Sequence, residues 1–185
     1  FSTPPEVTVD NAKVVTNENI PEVVPVSLGL NAPVITDAID QNGALPGDNP
    51  ELLGPITLSG IPAGAVLYDG DGNEIWTSDG NPLTIVLSDQ TDYHINGASG
   101  TLNLTTAQFE SLKVLPPEHS GENFTVTVSA TSYEVDDAGD PLSGVPGATA
   151  SETVEVDVQA VTDPVDLKID GSDDPYSTTI NEDTT

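Results

Sequence analysis

Residues 124–131 read Phe-Thr-Val-Thr-Val-Ser-Ala-Thr, so that apolar and polar side chains alternate along the whole stretch. In an extended chain the apolar members share one face and the hydroxyl-bearing members share the other, which is the pattern of a β-strand with one buried face. Residues 154–159 repeat the pattern as Val-Glu-Val-Asp-Val-Gln. The two stretches predict a β-sheet protein.

Shorter apolar runs predict further strands, and clusters of Gly, Pro, Asn and Asp separate them. These runs cover residues 22–28, 56–58, 66–68, 83–87, 100–104 and 112–115. One short helix is expected from Thr105 to about Leu112, because Thr105 and Gln108 have the spacing of a capping box. Elsewhere 16 prolines and 16 glycines disfavour helix. We therefore expect an all-β sandwich with one short helix.

Length and charge restrict the function. The 185 residues suffice for one large domain, or one domain with a fragment of a second. Thirty-one acidic residues face three basic ones, for a formal net charge of -28, which excludes nucleic acid and anionic membrane surfaces as partners. No apolar run is long enough for a membrane span. With no cysteine and two histidines, oxygen ligands dominate, and calcium prefers them.

An internal repeat marks the expected end of the module. Asn17-Glu18-Asn19 is echoed by Asn181-Glu182-Asp183, at an offset of 164 residues. A period of this length indicates successive domains along a chain. The sequence therefore predicts a module over residues 1–164, with residues 165–185 as a linker and the start of the next repeat.

Three segments carry a resemblance to a known family. They are Leu-Ser-Gly-Ile-Pro-Ala-Gly-Ala-Val-Leu at 58–67, Leu-Lys-Val-Leu-Pro-Pro-Glu-His-Ser-Gly at 112–121 and Val-Gln-Ala-Val-Thr-Asp-Pro at 158–164. These segments resemble the calcium-dependent cadherin-like or immunoglobulin-like repeats of giant bacterial RTX adhesins, which the type I pathway secretes. The resemblance implies Ca²⁺ as cofactor, a secreted protein at the bacterial cell surface, a role in biofilm, and neighbouring adhesin domains as partners in the same chain.

The module is longer than the plain extender repeats of that family. The excess lies chiefly in residues 29–54, 69–82 and 134–151. In this respect it is most similar to the peptide-binding domain near the distal end of such adhesins, including the ice-binding adhesin. That resemblance implies a peptide C-terminus, or another ligand on a second cell, as the partner.

Two acidic turns are candidate calcium sites. Asp69, Asp71 and Asn73 place oxygen side chains at positions one, three and five of a glycine-rich turn, where they can converge on one ion. The alternative is a solvated hairpin turn. Residues 134–140 form the second candidate loop, in which four carboxylates within seven residues would repel one another without a cation. They are Glu134, Asp136, Asp137 and Asp140.

Other acidic residues are candidates on different grounds. Asp163 and Glu182, with Glu18, occupy positions that resemble the linker calcium sites of the family, which stiffen adjacent domains. Asp89 and Asp92 flank a short polar segment and are weaker metal candidates. The acidic residues of the first long insertion are expected to be ordinary polar loop, namely Asp37, Asp40, Asp48 and Glu51.

Aromatic residues are scarce, and four residues are candidates for ligand binding: Trp76, Tyr93, His94 and Tyr133. Each could instead complete the core or cap its edge. The carboxylate of a peptide could not approach a surface of this charge unaided, whereas a calcium ion with an open position would accept it as a ligand.

These observations favour a calcium-dependent adhesion module, monomeric by itself, without membrane insertion. The alternatives are a passive calcium-rigidified extender, a lectin-like carbohydrate-binding module and an acid-rich surface adapted to salt without specific metal. We expect no enzyme, because chance carboxylate pairs such as Asp69 and Asp71 are unavoidable among 31 acidic residues, and no nucleophile triad or phosphate loop accompanies them.

Overall fold

The computed structural model of the protein describes residues 1–19, 24–36, 49–90 and 92–162. These ranges contain eleven strands and one helix. In chain order they are β1 Lys13–Asn17, β2 Val26–Ser27, β3 Glu51–Leu53, β4 Ile56–Ser59, β5 Val66–Tyr68, β6 Glu74–Thr77, β7 Leu83–Leu87, β8 Leu102–Leu104, α1 Thr106–Glu110, β9 Lys113–Leu115, β10 Phe124–Glu134 and β11 Ala148–Gln159.

The larger of two sheets has the strand order β1-β11-β10-β4-β7-β8, with β3 also beside β10. Long strand β10 is antiparallel to β11 along one side, and on its other side to β3 and then β4. The sheet is mixed, because β1 is parallel to β11 and β8 is parallel to β7. It curls into half a barrel.

The smaller sheet has the order β2-β9-β5-β6 and is antiparallel throughout. One hydrophobic cluster joins the two sheets, with Leu67 and Val114 from the smaller sheet and Val126 and Val154 from the larger. Helix α1 adds Phe109, which is fully buried. The alternation buries every second side chain from Val126 along β10, and Val154, Val156 and Val158 in the second half of β11.

The prediction of a mostly β protein with one short helix is confirmed. The helix begins as expected: the Thr105 hydroxyl accepts from the Gln108 main-chain nitrogen, and the Gln108 side chain accepts from the Thr105 main-chain nitrogen. The mixed larger sheet differs from an immunoglobulin-type sandwich, in which two antiparallel sheets face each other. The parallel pairs cause the difference, and their partners are distant in sequence.

The long insertions are more ordered than the sequence suggests. Strands β1, β3 and β6 are not predicted from the sequence, and β3 and β6 lie within the predicted insertions. Strand β6 returns along β5 as a hairpin, and β10 and β11 form a second hairpin at the third insertion. Glu134 is the last residue of β10 and is 5% exposed, so its assignment to an open loop is wrong.

Candidate functional site

The hairpin turn between β5 and β6, residues 69–73, is closed by the carboxylate of Asp69. Its Oδ1 accepts hydrogen bonds from the main-chain nitrogens of Asp71 (3.0 Å) and Asn73 (2.8 Å). The main-chain nitrogen of Asp69 donates to the carbonyl of Asn73 (2.9 Å), and that of Gly72 to the carbonyl of Asp69 (3.2 Å). Gly72 has φ of 88°, a conformation that glycine adopts readily. We call residues 69–73 the first turn.

The turn at residues 136–140, which follows β10, repeats this arrangement bond for bond. Asp136 Oδ1 accepts from the main-chain nitrogens of Ala138 (2.9 Å) and Asp140 (3.0 Å). The main-chain nitrogen of Asp136 donates to the carbonyl of Asp140 (3.0 Å), and that of Gly139 to the carbonyl of Asp136 (2.9 Å). Gly139 has φ of 83°. We call residues 136–140 the second turn.

The two turns differ in their fifth residue. In the first turn Asn73 also donates its side-chain amide to Asp69 Oδ2 (2.9 Å). In the second turn the fifth residue is Asp140, a carboxylate that can only accept, and it takes a hydrogen bond from the side-chain amide of Asn96 (3.1 Å). Asp136 and Asp137 add two more exposed carboxylates. The first turn supplies its own donor, whereas the second relies on a donor from another segment.

The pKa of Asp69 reflects these hydrogen bonds within the first turn. Hydrogen bonds from the Asn73 side chain, and then from the Asn73 main chain, lower the pKa of Asp69. The residue is 6% exposed, and its carboxylate oxygens are occupied by donors of the turn itself. Asp71 lies on the exposed side of the turn. This geometry favours the hairpin interpretation of the first turn over a calcium loop.

A pair of buried glutamates lies beside the second turn in sequence. Glu134 of β10 is directly opposite Glu51 of β3 in the antiparallel register, and the two residues are 5% and 2% exposed. Residues 1–3 run beside them: the main-chain nitrogens of Phe1 and Thr3 donate to the carboxylates of Glu134 and Glu51. The Phe1 nitrogen is the N-terminal ammonium, so it forms an ion pair with Glu134, and both buried carboxylates are held by the N-terminal segment.

Two of the three lysines lie on strands away from the buried glutamates, and the third is outside the described residues. Lys13 on β1 pairs with Asp157 (2.7 Å) and Glu155 (3.5 Å) of β11. Lys113 lies on β9 of the smaller sheet, and Lys168 is outside the described residues. Apart from the Phe1 ammonium at Glu134, the described acidic residues near the β3–β10 pairing offer oxygen atoms, which are the ligands that a hard cation prefers. We call Glu51, Glu134 and the second turn the acidic end.

His94 holds the segment that carries Asn96. Its Nε2 accepts from the main-chain nitrogen of Leu87 (3.0 Å), and its Nδ1 lies 3.2 Å from the carbonyl oxygen of Gly54. Nδ1 therefore carries the proton, and the ring is neutral. His94 is 8% exposed, and burial lowers its pKa. The predicted role of His94 in ligand contact is not supported, since both ring nitrogens bond the main chain.

Main-chain hydrogen bonds extend this connection to the second turn. The nitrogen of Ile95 donates to the carbonyl of Leu53 (2.8 Å), and that of Asn96 donates to the carbonyl of Gly139 (2.8 Å). The segment thus links the end of β7, strand β3 and the second turn. These bonds tie the second turn to the larger sheet.

The remaining predicted metal ligands have other partners or lie apart. Asp89 Oδ1 accepts from the main-chain nitrogen and the hydroxyl of Thr106 (2.9 and 3.0 Å), which lowers the Asp89 pKa and caps α1. Asp92 is exposed. Glu18 Oε2 accepts from the main-chain nitrogen of Val161 (3.4 Å), just beyond β11. Asp163 and Glu182, like Asp37, Asp40 and Asp48, lie outside the described residues.

The aromatic candidates divide between core and surface. Trp76 pairs with Leu67 and packs against the core, as Tyr93 does. The Tyr93 hydroxyl is buried with no hydrogen-bond partner within the described ranges, and burial raises its pKa. Tyr93 meets the His94 ring edge-on, at 5.4 Å between centroids. Tyr133 is half-buried on the face of β10 that points away from the core.

Within the described ranges, no three carboxylate or histidine side chains form a ready ligand cluster. Calcium also draws ligands from main-chain carbonyls, amide oxygens and water, and the acidic end offers these beside its carboxylates. No helix in the described part of the chain has the length and apolar character needed to cross a bilayer.

Sequence reasoning missed the burial of Glu51 and the donor Asn96 beside the acidic end. The expectation that Glu51 lies in an ordinary polar loop is wrong, because Glu51 is a buried residue of β3 in register with Glu134. Asn96 gives no signal of its own, because its partner Asp140 is 44 residues away. Compared with known proteins, the chain matches no family model, no curated protein and no solved structure.

Proposed function

We propose that this chain is a calcium-dependent adhesion module of a secreted bacterial surface adhesin, and that its acidic end holds the ion. The observation that supports this most is the fifth residue of the second turn. The same backbone turn is complete by itself where an asparagine stands at that position, but presents an additional carboxylate where Asp140 stands. A cation would supply there what Asn73 supplies in the first turn.

Because the whole molecule is strongly negative, a bound cation would stabilise the fold. The formal net charge is -28, and repulsion of this size destabilises a compact state. Extracellular modules bind calcium with dissociation constants of about 0.1 to 1 mM. A tenfold excess of free calcium over that constant stabilises the fold by roughly 1.4 kcal/mol per site. Several sites would contribute a large part of the stability of an ordinary domain.

The buried glutamates already have partners at the base of the same hairpin. The N-terminal ammonium of Phe1 pairs with Glu134, and the main-chain nitrogen of Thr3 donates to Glu51. The proposed ion therefore belongs at the second turn, where Asp136, Asp137 and Asp140 are exposed. The third insertion would then be a metal-braced hairpin, which is a rigid base for recognition.

The proposed ligand is the C-terminus of a peptide on another cell. An open coordination position on calcium reverses the local sign of the surface and accepts a carboxylate. Membership of the RTX adhesin family is part of this proposal. The three segments that resemble that family lie at β4–β5, around β9 and at the end of β11. Glu18 beside the end of β11 is consistent with a calcium-stiffened joint to the next domain.

Two measurements test the proposal. Thermal unfolding should move to higher temperature in 10 mM calcium than in chelator, and an unchanged transition would remove the metal from the account. An array of peptides with free and amidated C-termini should show hits that need both calcium and the free carboxylate. Metal-dependent stability without any ligand would favour a passive extender, and calcium-dependent binding of sugars alone would favour a lectin-like module.

A further inference from the structure

We propose that Tyr133 is a stacking platform for an uncharged saccharide ring on the outer face of the larger sheet. The inference goes beyond the proposed function, because it requires neither calcium nor a peptide carboxylate. It rests on the way the Tyr133 ring is seated, on the side chains around it and on the charge of the molecule.

The Tyr133 ring lies between two glycines on neighbouring segments, since Gly54 follows β3 and Gly147 precedes β11. A Cβ built on Gly54 would stand 3.0 Å from Cε2 of the ring, and one built on Gly147 would stand 2.7 Å from Cε1. Cε1 and Cε2 are opposite edges of the ring. The two edges are therefore held at these glycines, and because the residue is only half-buried, part of its side chain is exposed on the outer face.

The ring is one reason for glycine at both positions. Neither glycine has a positive φ, so backbone conformation does not require glycine there. At Gly54 the nearest obstacle to a side chain is the ring itself, and the next atom is 3.7 Å away. At Gly147 the Thr131 methyl (2.7 Å) and the Ser132 carbonyl (2.8 Å) also exclude a Cβ.

Tyr133 sits on the face that does not form the core, since its neighbours Ser132 and Glu134 are buried and Tyr133 is half-buried. A flat aromatic surface with a polar tip loses little conformational entropy on binding. It matches the apolar C–H face of a pyranose, in the way that tyrosine combines an apolar body with a hydrogen-bonding end.

Hydroxyl side chains continue this face away from the ring. The Thr131 and Thr149 hydroxyls lie 2.7 Å apart, one rung from Tyr133. The next rung runs across four strands, with Ser151, Ser129, Thr57 and Thr84 in register. Hydroxyls both donate and accept, which suits a ligand that is itself covered with hydroxyls.

Charge favours a neutral occupant. The side chains of these two rungs are uncharged, although the molecule carries a formal net charge of -28. An anionic ligand would be repelled, and a cationic one would find stronger attraction at the acidic turns. A neutral saccharide uses what this face offers, namely one stacking surface with hydroxyl partners.

The structural alternative is that Tyr133 merely covers the two glycines, as aromatic side chains do in sheets. Two variants separate the roles. Tyr133→Phe keeps a ring over both glycines, and Tyr133→Thr removes the ring while keeping a good strand former. The matched control is Tyr68→Phe together with Tyr68→Thr on β5 of the smaller sheet. Thermal unfolding of each variant establishes that it is folded.

The test is an array of neutral gluco-, galacto- and manno-oligosaccharides read in chelator, followed by saturation-transfer NMR of the hits with the intact chain. Binding should persist in chelator, survive Tyr133→Phe and the Tyr68 variants, and weaken about tenfold or more in folded Tyr133→Thr, as loss of one aromatic contact implies. Absence of binding to every neutral saccharide, or binding that is unchanged in folded Tyr133→Thr, would overturn the inference. Because the readout is in chelator, failure of the calcium proposal would leave this result intact.

Discussion

The first and second turns are two copies of one backbone design with opposite electrostatic outcomes. Each begins with an aspartate whose Oδ1 accepts two main-chain hydrogen bonds, and each places a glycine with positive φ at position four. Asn73 closes the first turn with its own amide. Asp140 leaves the second turn dependent on Asn96 of another segment.

The difference shows that a run of acidic residues in a turn does not by itself make a metal site. Asp69 is more buried than Asp136. It does not need a cation, because donors of the turn already satisfy its carboxylate oxygens. A cation gains most where carboxylates outnumber the donors, because there it replaces repulsion with coordination. By this criterion the second turn is the candidate and the first turn is its built-in control.

The largest expected effect comes from removing His94, which holds the segment that hydrogen-bonds to the second turn. His94→Ala would leave the buried Leu87 nitrogen and Gly54 carbonyl without partners and open a cavity, so unfolding free energy should fall by about 3 kcal/mol. Urea unfolding measures the loss. The exposed His119, at φ of 56°, provides the control: His119→Asn tolerates that backbone and should change stability little. Equal losses of stability in the two variants would contradict this role of His94.

Acidification should produce a graded form of the same effect. Burial lowers the pKa of His94 below its ordinary value of 6.5, so the unfolded chain binds the proton first. Stability should be full above about pH 6.5 and decline as pH falls below it, by at most about 1.4 kcal/mol per pH unit. Hydrogen exchange at pH 7 and pH 5 should show lost protection at Asp140 before Asn73. A His94→Gln variant should flatten this decline.

Exchanging the fifth residues tests the comparison itself. Asp140→Asn should make the second turn resemble the first, so that it is no less stable in chelator but loses about 1.4 kcal/mol of calcium-dependent stabilisation. Asn73→Asp should destabilise the first turn in chelator and create a calcium response there. Calorimetric melting of both variants with and without calcium measures these changes. A calcium response that is the same in Asp140→Asn as in the parent protein would refute the assignment.

The smallest expected effect concerns the donor amides. Asn96→Ala removes an exposed hydrogen bond to Asp140, so it should lower stability by about 0.5 kcal/mol in chelator, and calcium should restore the loss. Asn73→Ala is the matched variant of the first turn, and calcium should not restore it. Paired unfolding curves in both buffers decide between these outcomes. Restoration of both variants would mean that the turns do not differ.

Much of the fold follows from local pattern, and much of the site does not. Alternation predicts β10 and β11, and the spacing of Thr105 and Gln108 predicts the helix start, because these signals lie within a few residues. Closely spaced oxygen-bearing side chains likewise mark both acidic turns as metal candidates. This local pattern does not rank the two turns, because the donors to Asp69 and to Asp140 are seen only in the folded structure.

Long-range pairing accounts for what the sequence could not indicate. The burial of Glu51 depends on its register with Glu134, 83 positions later in the chain. The position of the Tyr133 ring depends on Gly54 after β3 and Gly147 before β11, which read as ordinary turn residues in the sequence. The mixed character of the larger sheet likewise depends on β1 reaching β11. Each is a property of tertiary neighbours rather than of local periodicity.

A calcium titration of the isotope-labelled protein, followed through the main-chain amides of Gly72 and Gly139, compares the two turns within one molecule. Both glycines occupy the fourth position of their turn with similar φ, so each reports the same local geometry. We predict that the Gly139 resonance shifts and saturates with a dissociation constant of about 0.1 to 1 mM, while Gly72 stays near its starting position. Equal shifts at both glycines, or none at Gly139, would contradict a calcium site at the acidic end.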